Sequence, residues 1–446
     1  MQYDRSGIST QDLILWLGLI VVLLFILIDF FIGGYDYRTS NLFVLFNILT
    51  CVVAILGIYF NKRTNISTSI NLFSIVFLFI SPINEIKYGI IYWDASYNIL
   101  GNYDIASLIV FIGLSIFNIT YYAMSKNFRY VEYRYNKYFE VKEFNLIIIS
   151  YLSLIAIMYY NNFSISSLLV RGGELSNTVD FDGTSRLIYR NIIYPLPFVC
   201  LISYILFGNR NWLIIFFLFI PFLVGNFPTG DSRARIGAMY ISLLIAFFPS
   251  IIRSNIKIPA IIIIGLIVAF PTLDQFRYYS GGDIVVKILD ENDMAAGHFD
   301  SFQSISGATM MNTPPGRQLL GAMLFWVPRS IWDDKPIGSG AEYAAQANLR
   351  FDNISMNFFG EGYLNFGYVG VILFSISLAV ILSKIDKARV SLPLNPHLIV
   401  FSIFMIGFSF FIMRGDLMSS FAYSVGSYFS IMAVCSLGIR RSFKGP

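Results

Sequence analysis

Charge is scarce in this chain. Asp, Glu, Lys and Arg make up 13% of its 446 residues, where a soluble domain carries roughly 25%. With 56% hydrophobic residues and a mean hydropathy of +0.66, that scarcity excludes a soluble enzyme, a disordered chain and a collagen-like chain. Histidine is nearly absent too. His298 and His397 lie far apart, so neither a His-based metal site nor a catalytic triad is available, and no metal is expected. The three cysteines, Cys51, Cys200 and Cys435, each fall inside an apolar run and form no CxxC pair. A disulfide framework and a zinc site are therefore unsupported. The glycines of Gly225–Gly237 lack the Gly-Lys-Ser/Thr of a Walker loop, which argues against a nucleotide cofactor.

Long apolar runs are what the chain does have. About 20 such residues cross a bilayer as a helix, and twelve runs approach that length: 13–32, 41–60, 66–83, 104–124, 144–160, 187–207, 211–226, 235–252, 257–273, 357–382, 397–413 and 418–439. The pattern predicts an all-α polytopic bundle of about twelve transmembrane helices, one integral membrane domain over residues 1–446 without an internal repeat. The first run is too long for a signal-peptide core and reads as a span.

Basic residues orient the bundle. With the N-terminus in the cytoplasm, seventeen Lys and Arg fall inside, eight in short outer loops and six in one long outer segment that escapes the positive-inside rule. An even number of spans with both termini cytoplasmic follows. The short outer loops hold Arg38, Lys87, Arg171, Arg186, Arg190, Arg233, Arg235 and Arg414, seven of the eight being arginine. Arginine concentrated where positive charge is disfavoured suggests use of its planar fork, which binds phosphate or carboxylate through paired hydrogen bonds.

Residues 274–353 form the long extracytoplasmic segment between spans nine and ten. Inside it, Gly316–Trp332 is apolar, too short to span and broken by proline, which predicts an interfacial or re-entrant helix at the headgroup level. Four outer clusters stand out. Arg171–Asn177 precedes Arg186 and Arg190. Asp231, Arg233 and Arg235 open span eight as an anion site at a helix N-terminus, or as a local ion pair. Trp326–Tyr343 carries Arg329 and Lys335, and Asn357–Gly370 carries Glu361, a carboxylate at a span end and so a functional candidate. Among its glycines, Gly367 and Gly370 are expected to serve tight helix packing. Met413–Met418 places Arg414 beside Asp416, read as a charge pair at a cavity mouth.

The block Pro328, Arg329, Trp332, Lys335, Pro336, then Gly360, Glu361, Tyr363, Asn365, Phe366, Gly367 and Gly370, resembles the Wzy-type bacterial polymerases of O-antigen and other oligosaccharide repeat units. Gly230, Ser232, Arg233 and Arg414 also resemble that family's positions. The resemblance implies a glycosyltransferase in the bacterial inner membrane that uses no nucleotide sugar and no cofactor. It would join repeat units carried on undecaprenyl diphosphate at the outer leaflet, moving the growing chain onto an incoming unit, for O-antigen, capsule or exopolysaccharide. Its partners would be that lipid-linked oligosaccharide, the bilayer and a chain-length regulator, with no nucleic acid.

Such chemistry leaves a diphosphate anion and needs a base for the acceptor hydroxyl. Arg233, Arg235, Arg329 and Arg414 are therefore expected to bind diphosphate, with Arg171, Arg317 and Lys335 as further candidates. Glu361 is the first choice for base and Asp416 the second. Tyr363, Trp326 and Trp332 are expected to contact sugar or lipid. A flippase of lipid-linked oligosaccharide would need mid-membrane charges and a repeated half; an O-antigen ligase-like transferase would differ only in its acceptor.

Overall fold

The computed structural model describes residues 10–32, 40–61, 63–89, 102–126, 128, 135–170, 188–276, 285–290, 299–349 and 354–442. Each of the twelve apolar runs is a helix: α1 Thr10–Ile32, α2 Asn41–Phe60, α3 Ile66–Tyr88, α4 Tyr103–Ser125, α5 Glu143–Tyr160, α6 Tyr189–Phe207, α7 Trp212–Gly225, α8 Arg233–Phe247 and α9 Lys257–Asp274. Three short helices follow, α10 Ser301–Ala308, α11 Arg317–Met323 and α12 Ser339–Gln346. The chain closes with α13 Phe358–Val390, α14 Pro396–Arg414 and α15 Leu417–Gly438. Helices start where a short polar side chain can take an otherwise unbonded amide: Ser40 accepts from Phe43 N, Asn65 from Thr68 N, Asn211 from Leu213 N and Asn357 from Phe359 N.

Among the described residues, ten helices are long and apolar enough to cross a membrane, two fewer than the runs suggested. The exceptions are consecutive. α7 and α8 have 14 and 15 residues, or ~21–23 Å at 1.5 Å per residue against a ~30 Å hydrocarbon core. α8 is an inner helix of the bundle: a Cβ on Gly407 of α14 would stand 2.7 Å from the Cα of Ala238. Because the pair is consecutive, its length leaves the sidedness of every later element unchanged.

Two separate sets of contacts define the two ends. At one, Ser254 donates to Asp12 (2.7 Å) and Thr64 to the Ser254 carbonyl (2.6 Å), while Asp386 accepts from Ile66 N (3.0 Å) and Tyr121 (2.6 Å). There too β1 Phe139–Val141 pairs antiparallel with β2 Ile439–Arg441. The start of α1 and the end of α15 thus lie at the same end. At the other, Ser81 donates to the Phe299 carbonyl (2.9 Å), Arg233 pairs with Asp274 (3.0 Å), and Asn357 donates to the Met413 carbonyl (2.8 Å). The second set unites the segments expected outside, and the first those expected inside. We call the second the site end.

The long segment between α9 and α13 is more deeply embedded than its polarity suggested. All eight residues of α10 are buried, among them Ser301, Gln303, Ser304 and Ser306. The expected helix over 316–332 is helical only through Met323, and turns fill the rest. Its apolar side chains still face outward, with Trp326 64% exposed.

α13 bends at Phe366–Gly367, where Gly367 takes φ 60°, ψ −149°. A Cβ there would meet nothing within 4 Å, so Gly367 serves the backbone rather than the helix packing expected of it. Gly370 does serve packing: its Cβ would stand 2.0 Å from the Gly362 carbonyl oxygen across the bend. Gly370→Ala should therefore cost ~1–3 kcal/mol or more by overpacking, read as a lower Tm of the purified protein. Gly18→Ala, on the lipid-facing α1 with nothing within 4 Å, should leave Tm unchanged or slightly raised.

Candidate functional site

Glu361 sits in the first turn of α13 with no exposed surface. Its Oε1 accepts from the Ser339 hydroxyl of α12 and from the Leu417 amide (2.8 Å) at the start of α15. Among the described residues, its Oε2 finds no hydrogen-bond partner. A buried carboxylate with a free oxygen is costly as a structural device. The elements around it are pinned by the same motif. Asn365 donates to the Glu361 carbonyl (2.9 Å), and its side-chain and backbone oxygens accept from Leu319 N (2.9 Å) and Gly316 N (3.1 Å). Gly360 lets α10 approach, a Cβ there standing 3.3 Å from the Ile305 Cα. Tyr363 is half-buried and packs edge-on against Tyr368, centroids 5.3 Å apart.

Arg414 closes α14 and lies one turn from Leu417. Its partner is Asp300 (3.4 Å), not Asp416 as expected. Asp416 caps α15, its two oxygens taking the amide (2.9 Å) and hydroxyl (2.8 Å) of Ser419. That assignment follows from the preference of a helix start for a short acid. Behind Asp300 lies a second fully buried carboxylate, Glu85 of α3, which accepts from Tyr103 (2.6 Å) and Ser81 (3.1 Å). Asp300 lies within its electrostatic reach.

The shared end of α13, α14 and α15 thus brings together a buried acid, an arginine and a helix start. Residues 354–445 match the family model for the O-antigen polysaccharide polymerase Wzy. The Wzy match covers those three helices, and with them Glu361, Arg414 and Asp416. It includes the Gly360–Gly370 part of the motif that suggested the family but not Pro328–Pro336. No curated protein and no solved structure matches the chain. The protein is a multi-pass membrane protein whose last three spans match the Wzy family model.

The other expected anion ligands lie at the site end in three settings. Arg233 and Arg235 open α8: Arg233 pairs with Asp274 and lies 3.9 Å from the centre of the Phe270 ring, while Arg235 pairs with Asp231 (3.0 Å) and lies 5.0 Å from the Tyr423 ring of α15. The local ion pair weighed for Asp231 is therefore present. Arg317 pairs with exposed Asp334 (2.7 Å). Arg329 and Lys335 hold the turns after α11. Arg329 donates to the carbonyls of Lys335 (2.8 Å) and Pro336 (3.4 Å), and Lys335 to those of Phe325 (2.6 Å) and Val327 (2.9 Å). Burial pushes the Lys335 ammonium down, and neighbouring Arg329 adds to it. Trp326 and Trp332 belong to the same turns, the first exposed and the second half-buried. Arg171 lies outside the described residues.

Sequence reasoning missed Glu85, Asp300, Ser339 and Lys287. Glu85 had a signal: it is ionisable and lies just beyond residue 83, where the third run was ended, on a helix that continues to Tyr88.

Proposed function

We propose that this protein polymerises undecaprenyl-diphosphate-linked oligosaccharide repeat units at the outer leaflet of the bacterial inner membrane, transferring the growing chain onto an incoming unit. The observation that carries the reading is Glu361, buried and held through one oxygen while the other has no hydrogen-bond partner among the described residues, within the Wzy match.

In the proposed reaction Glu361 Oε2 accepts the proton of the acceptor hydroxyl as that oxygen bonds to the anomeric carbon of the growing chain. The bond from that carbon to the lipid diphosphate breaks, and the diphosphate departs with the electron pair. Arg414 and Arg235 stabilise the developing anion, each well-placed donor being worth several kcal/mol, and Arg233 serves the diphosphate of the second lipid-linked unit. Arg317, Arg329 and Lys335 order the loop over the site, and Asp416 orders α15. Since Ser339 covers Glu361, acceptor entry requires α12 to lift away. Trp326 and Trp332 face the lipid.

Purified protein given lipid-linked repeat unit tests the reading. A ladder of polymer supports it; transfer only to a different acceptor makes the protein a ligase, and leaflet exchange without chemistry makes it a flippase. The orientation has its own test. Asp334→Cys, at an exposed position of the site end, should react with a membrane-impermeant maleimide in intact spheroplasts. Ser442→Cys, beside β2, should react only after permeabilisation. The native Cys51, Cys200 and Cys435 are buried, so background labelling should be low. The reverse pattern would place the site on the cytoplasmic face.

A further inference from the structure

Residues 285–290 are not helical, yet they lie along the membrane helix α9. Extended backbone facing lipid leaves polar groups unbonded unless something else takes them. Here side chains of α9 and of the turn after it do so. Gln275 accepts from Val285 N (3.3 Å) and donates to Val285 O (2.6 Å). The Thr272 hydroxyl accepts from Lys287 N (3.0 Å) and donates to Lys287 O (3.1 Å). Leu289 N donates to the carbonyl of Ile267 (2.7 Å), inside a π-helical turn that spans Gly265–Ala269. Ile267 lies seven residues before Asp274, hence ~10 Å below the helix end. The strap therefore dips into apolar depth, with Val285, Val286 and Ile288 58%, 70% and 68% exposed.

Between strap, α9 and the start of α8 lies a cavity of about 110 Å³ lined by Arg233, Lys287, Asp274, Gln275, Phe270 and Phe299. Arg233, Arg235, Arg317 and Arg414 each have an aspartate partner; the Lys287 side chain has no hydrogen-bond or ion-pair partner among the described residues. Phe299 is one residue from Asp300, the partner of Arg414. The cavity thus adjoins the Glu361–Arg414 site without being part of it.

We infer that this cavity is a berth for the diphosphate of a polyprenyl-linked substrate, held by Arg233 and Lys287, with the isoprenoid tail lying along Val286 and Ile288. Among the described residues that line it, two cations face one carboxylate, Asp274, which suits a diphosphate, and the exposed apolar strap suits a ligand that arrives through lipid. The inference rests on the polymerase reading and deepens it. Transfer between two lipid-linked units needs two diphosphates bound at once, and the cavity supplies a place for one apart from Arg414.

The test is binding, not turnover. Full-length protein in phosphatidylcholine nanodiscs is titrated with undecaprenyl diphosphate bearing no sugar, and in parallel with inorganic pyrophosphate and with phosphatidylglycerol. Lys287→Ala should weaken the polyprenyl diphosphate by ~10-fold or more, as loss of a charged hydrogen bond does, and Lys287→Arg should restore it. The pair Val286→Ser, Ile288→Ser should weaken the polyprenyl ligand and leave pyrophosphate unchanged. Unaltered affinity in Lys287→Ala, or pyrophosphate or phosphatidylglycerol binding as well as the polyprenyl ligand, overturns the inference. Glu361→Gln should bind normally. A protein that binds this way but builds no ladder would keep the berth and lose the polymerase reading.

Discussion

Glu361→Gln is expected to abolish polymer while leaving the protein folded and inserted. The amide is close to isosteric, and its oxygen can accept from Ser339 and from the Leu417 amide as Oε1 does now. Its NH2 would fall where Oε2 has no hydrogen-bond partner among the described residues. The substitution therefore preserves the contacts that join α12, α13 and α15 and removes only the capacity to accept a proton. A lost general base costs ~10²–10⁴ in rate. The readout is turnover of lipid-linked repeat unit at matched protein amount, with Tm as the check on folding. Asp416→Asn separates the two acids: it should cost ~1 kcal/mol of stability as a weakened cap and reduce turnover far less. Near-wild-type polymer from Glu361→Gln would leave Glu361 as a packing residue and return the base to the unassigned groups of the site.

How far the sequence carried depends on which physical signal each part leaves. Apolar length is a one-dimensional property, so every run became a helix, and the alternation of sides matches the two separate sets of contacts. Glu361 stood out because a carboxylate among glycines at a span end has no cheap structural use, and the fold buries it completely. The arginine bias was legible as a bias but not in its cause. Much of it is taken up inside the fold. Arg235 pairs with Asp231 four residues away, as the sequence allowed, but Arg233 pairs with Asp274 and Arg414 with Asp300 across separations that leave no local trace. The partners of Arg329 and Lys335 were hidden for a related reason. Both side chains donate to backbone carbonyls, and every residue has one, so no partner could be read from the string. Buried α10 was unreadable because its Ser, Gln and Gly carry no apolar period. Gly367 shows the same limit on a small scale, since spacing cannot tell a glycine needed for φ 60° from one needed for close packing.

Arg414→Lys is expected to lower turnover by ~10²–10³ with the fold intact, whereas Arg414→Ala should fail for a different reason. Asp300 is almost fully buried, and Glu85 behind it is completely so. Removing the guanidinium takes an ion-pair partner from the buried Asp300 beside a second acid, and breaking a buried pair typically costs ~3–5 kcal/mol. An inactive alanine variant would thus report instability as readily as chemistry. Lysine keeps the positive charge near Asp300 but has no planar fork with which to hold a carboxylate and a phosphate together. If Arg414 stabilises the departing diphosphate, the lysine variant should lose about what an electrostatic donor contributes to a transition state, with Tm close to wild type. Asp300→Asn should partly rescue the stability of Arg414→Ala, because neighbouring charges are not additive, and it should restore no turnover. Full turnover in Arg414→Lys would reduce Arg414 to the structural counter-ion of Asp300 and move the departing diphosphate to Arg235.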